Sequence, residues 1–564
     1  MNNLYKLLLF VIGSLFSHYL IAKPAYRGPV LMQQKDGSAV EVYIHGDEHF
    51  HYITDSHDNW LKWNNGSLVS TPTLSSEDIE IKRMQSKFFA AQQSTAANGA
   101  YLAPRGLVLL VNFSDLSFRE ENTQAAFDSL LNTHNYTYHG VTGSVRDYFI
   151  DQSHGLYAPQ FDVYGPLTVN HTMAYYGGNN ENENEPRAPL LISDACNAAK
   201  EAFNIDFTQY DNDADGYVDF VFVFYAGYGE ADGGDANTIW QHMYRLKTNA
   251  GINCVIDGKT IDLYACGSEL AYYNRTRATN PRDGISTCCH EFSHVCGLPD
   301  LYNISNKPTV YTLGSWDLMD YGTTNNHGWT PPSYSAYEKF YCGWLTPTLL
   351  NQSCNIELQE LGKSNAACII TTTGTHNLNG TMPNPNTFYI LENRQQNGWD
   401  EYLPGHGLLI TQVQYSAYSW DANTVNNNRT QRVKLMTADG NTSSNGDDGD
   451  TYPGSEQITA FYGIDSFPIT NITEIDDIIR FQVKDGGDNI ILDSPTFKNQ
   501  HISICRTATG IRLENIIGTD EVSIFDANGS LITRQRCSNG TTIDLPHHGI
   551  YIIKIGSIIQ TLVY

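Results

Sequence analysis

The stretch Cys288–Tyr302, CCHEFSHVCGLPDLY, constrains the fold more than any other part of the chain. Residues four apart share one face of a helix, so His290 and His294 would point at one shared object. A zinc ion suits that demand, because two imidazole nitrogens at about 2.0–2.1 Å can close on it from one helical turn. Glu291 would hang beside such a metal, where an attacking water needs a base. Gly297 tolerates the left-handed backbone with which helices end and reverse, and the reversal would bring Asp300 round as a third ligand. A bare HExxH arises by chance in long chains. The glycine and the aspartate that follow at fixed steps make coincidence a poor account. The fold must therefore contain a helix, a tight return beneath it and walls that support both.

The chain has 564 residues, more than one core supports, which predicts three or more folded units. With 34 Lys+Arg against 61 Asp+Glu its formal charge is -27, which disfavours nucleic acid and anionic lipid as main partners. The excess acid suits an exported protein and leaves carboxylates for calcium. The opening MNNLYKLLLFVIGSLFSHYLIA is laid out as a secretory signal peptide over residues 1–22, short for a membrane span. No other segment approaches transmembrane length, so no integral membrane segment is expected after signal removal, and the protein is expected to be secreted or at the cell surface. All 11 cysteines lie beyond residue 195. Short loop closures suggest Cys254–Cys266, Cys354–Cys368 and Cys505–Cys537 as disulfides. Cys288, Cys289 and Cys296 read as packing around the helix.

Residues 23–102 hold alternating runs such as AVEVYI, split by DG and NG dipeptides, and read as a β-rich propeptide and linker. Within it, GDEHFH crowds Asp47, Glu48, His49 and His51 at a predicted turn, where they could cap a metal or be surface residues. PRGLVLLVNFSD opens a unit over 103–348 with a run expected as a strand buried on both faces. Strand–helix alternation then leads to the HExxH helix. DNDADGYVD places Asp211, Asp213 and Asp215 around a bend at Gly216, and Asp219 and the Tyr217 carbonyl could complete a calcium site. Phe222 stands where an EF-hand needs a bidentate glutamate, so the loop is not an EF-hand. In TLGSWDLMDYG, Met319 sits in a tight turn, and the Tyr321 phenol could stabilise an oxyanion or be ordinary packing. Residues 349–490 read as a β sandwich, and 491–564 as a small separate one.

VLLVNFSD, SVRDYFIDQSHG, DNDADGYVDFVFV, HEFSHVCGLPDLY, GSWDLMDYG and FYILENRQQNGWDEYLPGHGLLI together resemble the immune inhibitor A family of secreted zinc metallopeptidases. The resemblance implies a signal peptide, a propeptide and an α+β metzincin-like zinc domain, often with calcium. It implies zinc on His290, His294 and Asp300, and catalysis by Glu291, with Met319 in the methionine turn. Residues 491–564 resemble, more weakly, the sorting domain of the type IX secretion pathway, which implies export machinery as a partner. The expected protein is thus multidomain: a latent, zinc-dependent endopeptidase acting on protein substrates, in which Glu291 takes the proton of a water and passes it to the leaving amine. Glu338 as third ligand is the thermolysin-like variant, but it lies in no motif. The rival from another class is a retired protease scaffold serving as an adhesin, whose mark would be loss of Glu291 or of a ligand.

Overall fold

The run Arg105–Asn112 forms a strand whose interior is buried on both faces. Val108 and Leu110 enter one core with Phe222 and Phe224, while Leu107, Leu109 and Val111 enter another with Val221, Val223 and Tyr225. That alternation is the period of two of a pleated strand. In the computed structural model the described residues are 21–47, 50–64, 66–74, 79, 104–179, 185–271, 281–303, 312–426, 431–441, 446–492, 503–506, 510–514, 520–526, 531–538, 541–546, 550–555 and 558–563.

Six strands carry the site: β1 (Ile21–Ala22), β2 (Arg105–Asn112), β3 (Gln160–Thr168), β4 (Val221–Tyr228), β5 (His242–Arg245) and β6 (Leu263–Leu270). Their order is β1-β5-β6-β4-β2-β3. β6, β4, β2 and β3 run parallel, and β5 is antiparallel to β6. Parallel neighbours need crossovers that cover the faces. Helices α1 (Gln124–Asn132) and α2 (Val145–Gln152) pack into one core, and α3 (Ala188–Phe203) into the other. Local chemistry fixes the ends of these helices. Ser144 and Asp147 form a capping box at the start of α2, and Asn204 closes α3 with φ 50°.

β5 would leave an open edge, a template for any extended segment. β1 occupies it, antiparallel, with Ile21 opposite Met243 and Ala22 opposite His242. The N-terminal residues beyond β1 form a five-stranded meander over Val30–Ser70. Its core of Val30, Met32, Val42 and Ile44 is shared with Ala231 and Trp240. The signal-peptide reading falls mostly on residues 1–20, outside the described residues.

Two sheets over residues 348–492, of five and four strands, enclose a core that includes Ile356, Leu391, Ile410 and Phe481. The chain divides into two compact units, one ending at Leu492 and the other holding the strands from Ser503 onward. The second has its own core of Ile511, Leu513, Val522, Ile524 and Ile553. This multi-sheet α+β architecture is compatible with a multidomain protease.

Among the described residues no disulfide is formed, and ten cysteines are thiols. The expected Cys254–Cys266 pair is not made: Cys266 Sγ faces His242 and the Trp240 carbonyl, while Cys254 neighbours Cys196. Cys354 and Cys368 share one core as thiols. The Cys505 side chain lies outside the described residues.

Candidate active site

Helix α4 (Ser286–Ser293) is buried over all eight residues. Phe292 turns one face into an aromatic cluster with Phe149, Phe161 and Phe220. That anchoring leaves His290 and His294, the latter capping the helix, on the opposite side. Gly297 reverses the chain with φ 86°, and Asp300 Oδ1 arrives 3.2 Å from His290 Nε2 and 3.6 Å from His294 Nε2. His290 Nδ1 pairs with the Leu318 carbonyl at 2.9 Å and His294 Nδ1 with the Leu298 carbonyl at 2.7 Å. A carbonyl can only accept, so both Nδ1 atoms carry the hydrogen and both Nε2 lone pairs are free.

Four buried atoms converge here without a hydrogen-bond partner: His290 Nε2, His294 Nε2, Asp300 Oδ1 and Glu291 Oε2. Orphaned polar atoms in a core are costly, and a tetrahedral cation with an open position would satisfy the first three. His290, Glu291 and His294 form a cluster able to hold a metal ion, so the donor set fits zinc. Burial pushes the Glu291 carboxyl up to about 8, with Asp300 adding to the rise and His290 and Lys23 opposing it. Burial holds the His294 imidazole down near 4. For His290 burial also pulls downward, but the neighbouring Asp300 and Glu291 carboxylates outweigh it and the net shift is upward.

Two supports carry no sequence motif. Asn423, from the sandwich region, accepts from the Asp300 N–H at 2.7 Å and donates to Asp300 Oδ2 at 2.6 Å. Lys23 donates its main-chain N–H to Glu291 Oε1 at 3.1 Å. Neither lies at a recognisable spacing from the HExxH helix.

Met319 is fully buried, and its turn holds His290 through the Leu318 carbonyl while the Met319 carbonyl accepts from the Leu301 N–H at 2.8 Å. The Tyr321 ring lies beneath the Arg27 guanidinium at 3.1 Å. Glu338 is turned away from the histidines. It caps helix α5 (Ala336–Tyr341) by accepting from Ser335 N and Oγ. In the N-terminal unit His51 bonds Glu230 at 3.0 Å and stacks on Trp240. Glu48, His49 and the Asp47 side chain lie outside the described residues.

Asp211, Asp213 and Asp215 come together around Gly216, whose φ is 95°. Lys259 Nζ reaches Asp211 Oδ2 at 2.5 Å, and Asp219 Oδ2 accepts from both the main-chain and side-chain nitrogens of Asn212. Tyr217 opens a short strand paired with Thr260.

Residues 92–344 match the family described as immune inhibitor A peptidase M6, catalytic domain. The matched stretch is less than half of the chain. Over 270 residues the chain is 26% identical to Pre-pro-metalloprotease PrtV of two Vibrio cholerae strains, covering 41% of this chain and 29% of each relative. It is 27% identical over 217 residues to Immune inhibitor A of Bacillus thuringiensis subsp. alesti, covering 34% of this chain and 31% of that one. The chain thus spans less than a third of the length of the curated relatives it matches. The matched stretch contains β2 through α5 and all of His290, Glu291, His294 and Asp300, and the matches support a metallopeptidase hydrolase. Among the described residues no helix is long and apolar enough to cross a membrane.

Proposed function

We propose that the protein is a secreted zinc endopeptidase of protein substrates, made as a latent precursor. The observation that carries this reading is the convergence of three unpartnered donor atoms, on His290, His294 and Asp300, beside the buried Glu291 carboxylate. Zinc held by those atoms supplies Lewis acidity toward water and the scissile carbonyl. Glu291 then serves as base toward the attacking water and returns the proton to the leaving nitrogen. Tyr321, two residues past Met319, is the proposed oxyanion donor. Calcium on Asp211, Asp213, Asp215, Asp219 and the Tyr217 carbonyl would stiffen the loop before β4. The C-terminal unit, with a core of its own, is the proposed handle for export machinery.

Latency is supported by the N-terminal segment. The Lys23 N–H is bonded to Glu291, and Arg27 covers Tyr321. With this segment in place the base is engaged and Tyr321 is covered. Direct capping by His51 has no support, because His51 is spent on Glu230.

Trimmed protein should hydrolyse casein in a zinc-dependent manner, and Glu291→Ala should abolish hydrolysis while retaining zinc. A Glu291→Ala protein as active as the unmodified one would refute the assignment. No observation favours an adhesin on a retired scaffold, since Glu291 and the three donors are all in place.

A further inference from the structure

The side chain of Lys23 does something its backbone does not. Its Nζ lies 2.6 Å from Asp232 Oδ1 and 3.3 Å from Thr287 Oγ1, one helical turn before Glu291. Lys23, Asp232, Thr287 and Asp283 are all buried. Gln241, fully buried at the start of β5, donates to Asp232 Oδ2 at 2.5 Å and fixes its orientation. Thr287 Oγ1 also lies 3.4 Å from Asp283 Oδ2. The lysine is therefore lodged in a built acidic pocket in the wall of the cleft. Burial alone would lower the Lys23 ammonium, but Asp232 and Asp283 outweigh it and hold it above its ordinary value.

The backbone around this lysine lies as a substrate would. In the full chain β1, the end of the expected signal segment, adds to the open edge of β5 by main-chain pairing, a recurring mode of peptide capture. The next residue offers its N–H to Glu291, and the Trp240 indole donates to the Lys23 carbonyl at 3.1 Å. A base that hands its proton to the leaving amine must sit at the nitrogen on the carboxyl side of the bond that breaks. Lys23 thus marks the position just after that bond. When the segment leaves, Asp232 and Asp283 face the vacated space, and a buried carboxylate without a counter-charge is costly. A basic side chain from the substrate restores the pairing.

Resting on the peptidase reading above, we propose that Asp232, supported by Asp283, Thr287 and Gln241, forms a specificity pocket that selects lysine immediately after the scissile bond. The lysine ammonium has three donors, of which the pocket takes two at Asp232 and Thr287. Neutral side chains leave both acids without a counter-charge, and acidic ones add repulsion.

The test uses enzyme freed of its N-terminal unit by limited proteolysis and peptides that differ only in the residue after the cleaved bond: Lys, Leu or Glu. The expected order of kcat/KM is Lys over Leu over Glu, with Lys ahead of Leu by at least about tenfold, as for a site built around a polar contact. Asp232→Asn should lower the Lys-to-Leu ratio by about tenfold or more, and Asp232→Glu should restore part of it. Equal hydrolysis of the Lys and Leu peptides by the unmodified enzyme would overturn the pocket, and so would an unchanged ratio in Asp232→Asn. Should the variant not fold, the peptide series on the unmodified enzyme decides alone. Failure to hydrolyse any peptide or casein would instead overturn the peptidase reading, and the pocket with it.

Discussion

Asn423 should control metal affinity from outside the ligand set. It lies far along the chain from the HExxH helix, yet grips Asp300 twice, through the main-chain N–H and through Oδ2. Nearby, Asn426 donates to the Leu301 carbonyl at 2.7 Å, so the sandwich region fixes the whole return. The substitution to make is Asn423→Gly, because Asn423 has φ 47° and alanine would add backbone strain of about 1 kcal/mol unrelated to the contact. Removing one hydrogen bond to a buried carboxylate costs about 1.5–3 kcal/mol. If that loss is felt in metal binding, zinc affinity falls about 10–100-fold, the range for partners that orient a metal ligand. Competition against a chromophoric chelator reads this directly, and Asp300→Ala, which removes the donor itself, should weaken binding further. A folded Asn423→Gly protein that holds zinc as tightly as the unmodified one would refute the argument that Asp300 needs this support.

Three other perturbations follow from named contacts. Lys23→Glu places a carboxylate against Asp232 and should make the untrimmed precursor measurably active on casein; a silent Lys23→Glu precursor would assign latency to the rest of the unit. Burial raises the Asp219 carboxyl to about 6, and calcium needs the ionised form. Added calcium should therefore raise Tm more at pH 7.5 than at pH 5 by mass action, and no effect at either pH would reduce the loop to a solvated turn. Burial lowers His242 from 6.5 to about 4. The unfolded chain then binds the proton more readily, so the stability this histidine confers is complete above pH 6.5. It is lost as pH falls toward 4, by about 3 kcal/mol in all. His242→Gln should flatten that acid limb of the Tm profile, and an unchanged limb would place the loss elsewhere.

What the sequence made legible was whatever depends on short-range periodicity. His290 and His294 are one helical turn apart, Gly297 permits the reversal, and Leu107–Val111 alternate between two cores, all readable from residues within a few positions of each other. Contacts between distant segments left no such trace. Asn423 lies in DANTVNNN, an asparagine-rich stretch whose composition suits a loop and says nothing about which carboxylate it will meet. Cysteine pairing failed for the same reason: loop length favoured Cys254 with Cys266, but the strands that carry them put Cys266 against His242 and Cys254 beside Cys196. The GDEHFH turn stayed open between capping a metal and lying at the surface, because side chains able to bind zinc bind other things equally well, and His51 found Glu230.

The same distinction explains how the site is held. A helix of eight residues cannot by itself fix three donors to the tolerance a metal requires. Two donors and the base are aimed by segments remote in sequence, His290 by the turn at Leu318, Asp300 by Asn423, and Glu291, in the precursor, by Lys23, while His294 is held locally by the Leu298 carbonyl. The first two partners belong to the body of the compact unit and remain after trimming. The third belongs to the segment expected to leave. Removing residues 23–102 should therefore leave the proposed metal ligands in position while freeing Glu291 and the acidic pocket at Asp232. Zinc content would then be the same before and after trimming, and only turnover would change.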